Sequence, residues 1–105
     1  MENKLAEKYD KNKDYYVYLY RRNDNNTVFY VGKGKGRRAV NMYDHNDFCI
    51  KVANKYGYTI EIYKDNLSEE EAFRLEEEMV SYYINELNYG IAIGKKNRWF
   101  KTLSL

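Results

Sequence analysis

Residues 28–38 read VFYVGKGKGRR, a strand-forming run that breaks off into alternating glycine and cation. Upstream, Tyr15 to Arg21 (YYVYLYR) is aromatic and β-branched, and Thr27 to Val31 (TVFYV) has the same character, so both predict strands. The intervening RNDNN is turn chemistry. The pair therefore predicts an antiparallel hairpin with the glycine-cation run directly after its second strand. Gly32, Gly34 and Gly36 would let the backbone approach a ligand closely, and Lys33, Lys35, Arg37 and Arg38 would make that ligand an anion.

Working outward, Arg37 to Tyr43 predicts a short helix. NDFCIKVANKYG predicts another, with Asn46 placed to cap it and Gly57 to end it. Tyr58 to Tyr63 (YTIEIY) alternates with period 2 and predicts a third strand. Ser68 followed by Glu71 is a capping box that opens a helix running to about Glu86. The remaining LNYGIAIGKKNRWFKTLSL is a tail with room for one short strand. The expected fold is α+β, a small three-stranded antiparallel sheet flanked by helices in the order β-β-α-α-β-α.

A chain of 105 residues is expected to form one domain over 1–105. Its core would span about 15–88, with an N-terminal arm over 1–14 and a basic C-terminal tail over 89–105. Thirteen tyrosines and no proline stand out, and mixed charges with so much buriable aromatic area argue against disorder. Cys49 is the only cysteine, which excludes an internal disulfide framework and a cysteine zinc site. No apolar run reaches ~18 residues and the first fourteen residues carry no apolar signal stretch, so a soluble cytoplasmic protein with no membrane partner is expected. The abundance of Asn, Lys, Tyr and Ile fits an AT-rich genome, as in a phage or bacterium.

The net charge of +2 hides an asymmetry. Residues 33–38 hold four cations and no acid, and residues 95–101 (KKNRWFK) hold another four, among them Lys95, Lys96 and Arg98. Residues 64–78 hold seven acids against Lys64 and Arg74. That segregation points to a polyanionic partner. Within the acidic helix, Ala72, Leu75, Met79 and Tyr83 form an apolar stripe at 3.6 residues per turn, and Glu76 falls inside it. A carboxylate on a packing face needs a cation, hydrogen bonds or a metal ion to compensate it. Glu69, Glu70, Glu77 and Glu78 fall at the margins or outside, where solvated glutamates belong.

Nucleotide fingerprints fail on these residues. The dinucleotide pattern G-x-G-x-x-G requires glycine at position 37 and meets Arg37, and the P-loop sequence is absent. Both also belong to parallel βαβ units rather than to a hairpin. A basic turn flanked by tyrosines at 16, 18, 20 and 30 fits a nucleic-acid backbone better.

Tyr16-Val17-Tyr18 on one strand and Tyr30-Val31-Gly32 on the next, continuing as KGKGRR, resemble the GIY-YIG nuclease family, in the subgroup whose second motif reads YVGKGKG. NLSEEEAFRLEEE resembles that family's helix in which a glutamate follows Ala-x-x-Leu, here Glu76. The resemblance spans roughly Tyr15 to Asn88. It implies a metal-dependent DNA endonuclease, with RNA not excluded, that hydrolyses a phosphodiester bond by a one-metal route to 5′-phosphate and 3′-hydroxyl ends. Glu76 would hold the single Mg2+ or Mn2+, which would polarise the phosphoryl group and stabilise the leaving oxygen. Arg38, with Arg37 as its rival, would sit on the scissile phosphate. Tyr18 would act as or orient the general base with Tyr30 beside it, its pKa lowered by Lys33 or Arg38. Asn88 would steady the site.

The family's histidine or tyrosine one turn after the arginine has no direct counterpart, since Met42 stands there; Tyr43 and His45 both remain candidates. Lys33, Lys35, Arg37, Lys95, Lys96 and Arg98 would bind the nucleic-acid backbone. Dimerisation or a partner could supply specificity.

Plainer readings exist for each residue. Tyr18 and Tyr30 could be cross-strand packing, Glu76 an ion pair with Arg38, His45 a surface or capping residue, and Cys49 part of the core. Trp99 and Phe100 could stack on bases or anchor the tail. A catalytically silent nucleic-acid-binding module and a small inhibitor on the same scaffold are the rival functions. Neither would require an acid such as Glu76 near phosphate.

Overall fold

A computed structural model of the chain describes residues 13–86 and 92–93. Strand β1 (Tyr15–Arg22) and strand β2 (Val28–Gly34) form the expected antiparallel hairpin. Its turn closes through Arg22 N–H to Thr27 O (2.8 Å) and Asn26 N–H to Arg22 O (2.8 Å). Two short 3-10 turns follow, Arg38–Val40 and Met42–Asp44. Helix α1 (Asp47–Tyr56) is capped by the Asn46 side chain, which accepts from Cys49 N–H, and it stops at Gly57. Strand β3 (Tyr58–Leu67) pairs antiparallel with β1 and runs four residues beyond the expected Tyr63.

Helix α2 (Glu69–Ser81) opens on the complete Ser68/Glu71 capping box and continues as a π turn, Tyr82–Glu86. A two-residue strand β4 (Ala92–Ile93) adds a parallel edge to β2. The sheet order is β3-β1-β2-β4, so the three-stranded antiparallel sheet expected from the sequence is present, with β1 at its centre. No helix among the described residues is long and apolar enough to cross a membrane.

The segment expected as a helix over Arg37 to Tyr43 is instead a pair of 3-10 turns, bonded i to i+3 by Val40 N–H to Arg37 O, Asn41 N–H to Arg38 O and His45 N–H to Met42 O. A physical reason lies on β1. Tyr20 Oη donates to Ala39 O (2.5 Å), an acceptor that a continuous helix would offer to Tyr43 N–H, and Tyr16 Oη accepts from Ala39 N–H (3.0 Å), fixing the same peptide pair from the sheet.

Strands β1 and β2 are buried on both faces, which is why YYVYLY shows no polar alternation. One face packs Val17, Leu19 and Val31 against Ala72, Met79, Val80 and Tyr83 around α2. The other packs Tyr18, Tyr20 and Tyr30 against Ala39, Met42, Cys49 and Ala53, from the 3-10 turns and α1.

Candidate functional site

Register places the site. Tyr16 lies opposite Gly34, Tyr18 opposite Gly32 and Tyr20 opposite Tyr30, so four tyrosines and two glycines share one face of the hairpin. A Cβ at Gly32 would lie 2.7 Å from Tyr30 Cε2 and 2.8 Å from Tyr18 Cζ, and one at Gly34 would lie 2.6 Å from Arg38 Cβ. The close approach that these glycines permit is therefore intramolecular. Gly32 admits the phenol rings and Gly34 admits the arginine stem, where the sequence suggested backbone exposed to phosphate.

Tyr18, Tyr20 and Tyr30 have no solvent-exposed surface, and His45 is buried beside them. The imidazole Nδ1 faces two carbonyls, Asn41 O at 2.9 Å and Met42 O at 3.2 Å, which can only accept, so Nδ1 carries the proton. Nε2 is then the acceptor, and Tyr18 Oη donates to it at 2.6 Å. Tyr20 Oη approaches the same nitrogen at 3.3 Å. The Tyr30 ring meets the imidazole edge-on at 4.8 Å, while its hydroxyl is buried without a hydrogen-bond partner among the described residues.

Arg38 lies over this cluster, half-buried. Its Nη1 donates to Asp44 O at 3.1 Å, and its charge acts on the Tyr18 and Tyr30 hydroxyls. Arg37, its rival, is exposed.

Charge at the site follows burial more than pairing. Burial pushes the Tyr18 hydroxyl far above its ordinary pKa, Tyr30 adds to the rise, and Arg38 only partly opposes it. Tyr30 is raised for the same first reason. The expectation that cations lower the tyrosine pKa is therefore not met, because desolvating a phenolate costs more than one arginine returns. Burial, then the Arg38 charge, lowers the His45 imidazole below its usual value, so the ring is neutral near pH 7. Cys49, expected in the core, is buried there, and burial pushes its thiol up to about 12.

Lys33 cannot help the tyrosines. It pairs with Val17 on the α2 face, and its Nζ meets Glu69 at 3.3 Å and lies 5.4 Å from the Tyr15 ring. Lys35 is exposed, with its Nζ 5.2 Å from the same ring. Glu76 is 5% exposed inside the α2 stripe, as its helical position required, while Glu69, Glu70, Glu77 and Glu78 are exposed. It comes from the helix on the opposite face, and its negative charge contributes to raising Tyr30.

Among the described residues no group of three or more His, Cys, Asp or Glu side chains could hold a metal ion. Mg2+ is held in proteins by one or two carboxylates with waters and substrate phosphates, and Glu76 would be the carboxylate here.

Thus the structure brings Tyr18, Tyr30 and Arg38 together and adds His45. Tyr43 is not brought in; it is 73% exposed and its hydroxyl donates to Asn54 Oδ1 at 3.3 Å. Asn88, Lys95, Lys96 and Arg98 lie outside the described residues. Sequence reasoning placed Tyr16 and Tyr20 beside the basic turn but not among the site residues, although spacing of two along a strand puts both on the face of Tyr18. Comparison of the chain with protein-family models, with curated proteins and with solved structures finds no match.

Proposed function

We propose that this chain is a one-metal endonuclease of the GIY-YIG type acting on DNA. The observation that carries the reading is the Tyr18 hydroxyl donating to a neutral His45 beneath Arg38. A buried phenol is a poor source of free phenolate, so its use as a base requires somewhere for its own proton to go. His45 Nε2 is that place. As water attacks phosphorus, its proton passes to Tyr18 Oη while the Tyr18 proton passes to Nε2. The bond from phosphorus to the 3′ oxygen breaks, that oxygen takes a proton from solvent water and His45 returns its own to solvent, leaving a 5′-phosphate and a 3′-hydroxyl. Arg38 offsets the charge that develops on the phosphoryl oxygens. A divalent ion held by Glu76 would supply positive charge at the phosphoryl group and the leaving oxygen. Because Tyr18 and Tyr30 are wholly buried, water reaches Tyr18 Oη in this reading only when the side chains that cover it shift on substrate binding.

A second reading is a silent nucleic-acid-binding domain, which the complete burial of both hydroxyls favours. Supercoiled DNA incubated with Mg2+ separates the two. The parent is expected to nick it, and Glu76→Ala to lower the rate at least about a hundredfold. Metal-independent nicking, or equal nicking by both proteins, would overturn the nuclease; DNA binding without any cleavage would establish the silent module.

A further inference from the structure

We propose that Tyr16 and Tyr20 are positioning residues of this site, Tyr16 for the arginine that meets phosphate and Tyr20 for the imidazole that receives the Tyr18 proton. This rests on the nuclease reading above.

Tyr16 Oη donates to Gly36 O at 2.7 Å and accepts from Ala39 N–H at 3.0 Å. One hydroxyl thus spans the backbone on both sides of Arg38, whose own backbone bonds are long, its N–H to Lys35 O at 3.3 Å and its carbonyl to Asn41 N–H at 3.3 Å. Gly34, opposite Tyr16, leaves the space that the Arg38 stem fills. With backbone held by the hydroxyl and stem held by the glycine, the guanidinium is directed across the tyrosine face. Arginine positioning has more reach over a scissile phosphate than charge alone, since a small misplacement costs rate steeply.

Tyr20 acts on the imidazole. Its single proton is committed to Ala39 O at 2.5 Å, so toward His45 Nε2, 3.3 Å away, it presents lone pairs. It therefore cannot compete with Tyr18 as donor to Nε2. Once Nε2 has taken the Tyr18 proton, the Tyr20 oxygen is a second acceptor for it.

The groups facing His45 are Tyr18 and Tyr20 from β1, Tyr30 from β2, and Arg38 and Asp44 from the turns. Of these Arg38 opposes a charged imidazole and Asp44 favours it. Cys49 of α1 points its thiol at Met42 Sδ. Tyr20 is thus the oxygen beside Nε2 that favours the protonated ring without itself being in the proton path.

Two full-chain variants test this, Tyr16→Phe and Tyr20→Phe, which keep ring volume and remove one oxygen each. NMR titration of the His45 ring and of Arg38 with inorganic phosphate is read beside Mg2+-dependent nicking. Tyr20→Phe is expected to lower the His45 midpoint, to move the acid limb of the kcat profile to lower pH, and to cut kcat about tenfold with KM nearly unchanged. Tyr16→Phe is expected to leave the His45 midpoint in place and to weaken phosphate binding and raise KM about fivefold.

An unmoved His45 midpoint in Tyr20→Phe, or unmoved phosphate affinity in Tyr16→Phe, would reduce that residue to a structural hydrogen bond and overturn its assignment. Should Tyr20→Phe not fold, 3-fluorotyrosine at position 20, a weaker acceptor in the same ring, must lower the same midpoint. Failure of the parent to nick DNA would sink the nuclease, whereas the two NMR readings would still decide the positioning.

Discussion

The two faces of β1 are made by alternate residues of one strand and are buried by different means. Toward α2 it presents Val17 and Leu19, which meet other apolar side chains and ask nothing of their neighbours but contact. Toward the 3-10 turns it presents Tyr16, Tyr18 and Tyr20, whose hydroxyls all bond to residues 36–45, those of Tyr18 and Tyr20 fully buried and that of Tyr16 at the rim. An apolar face tolerates many arrangements of its cover, since burial is non-directional. A face of phenols does not, because a buried hydroxyl is stabilised only by a partner at a suitable distance and angle, and those of Tyr16, Tyr18 and Tyr20 find theirs in residues 36–45. The tyrosine face therefore dictates the conformation of residues 36–45, and the valine-leucine face does not dictate α2, which is set by its own cap and stripe.

That contrast can be broken on either side. The largest effect is expected on the apolar face: Leu19→Ala, at a residue 1% exposed, should cost about 2–5 kcal/mol, read by denaturant unfolding with little change in the His45 titration. A loss below about 1 kcal/mol would mean that this face does not hold the fold.

The next effect belongs to the tyrosine face and is driven by pH. His45 is neutral in the fold, with its imidazole held below the ordinary value of 6.5 first by burial and then by Arg38. The unfolded chain then binds the proton more readily. Stability should be fullest above the ordinary value and decline as pH falls from it toward the folded value. A lower melting temperature at acid pH, blunted in His45→Gln, checks this; an identical slope in both proteins would remove His45 as the cause.

The smallest effect is expected at the edge between the faces. Lys33→Ala breaks an ion pair at 3.3 Å whose glutamate is 64% exposed, and should cost under about 1 kcal/mol, less still in high salt. Because Lys33 is on the α2 face, it should also leave the His45 midpoint unmoved.

Much of the architecture was legible locally. The hairpin, the Asn46 cap, the Ser68/Glu71 box and the burial of Glu76 all follow from neighbours within a turn or from a fixed periodicity. At residues 37–43 the helical tendency is legible but its division into two 3-10 turns is not, because the groups that bond this backbone come from Tyr16 and Tyr20, about twenty positions earlier. The choice between Tyr43 and His45 was hidden for the same reason: it is the Tyr18 hydroxyl of β1 that takes His45 as partner, while Tyr43 is left exposed.

The sequence by itself determined the hairpin strands, the start of β3, the two capped helices and which glutamate lies on a packing face, since these depend on near neighbours and on periods of 2 and 3.6 residues. Only the tertiary structure decided that Gly32 and Gly34 make room for side chains of this same chain, that Lys33 turns away from the tyrosines while Arg38 turns toward them, and that His45 receives the Tyr18 hydrogen bond. Those outcomes rest on buried hydrogen bonds between residues far apart in the chain, and the geometry that selects their partners exists only once the sheet has paired.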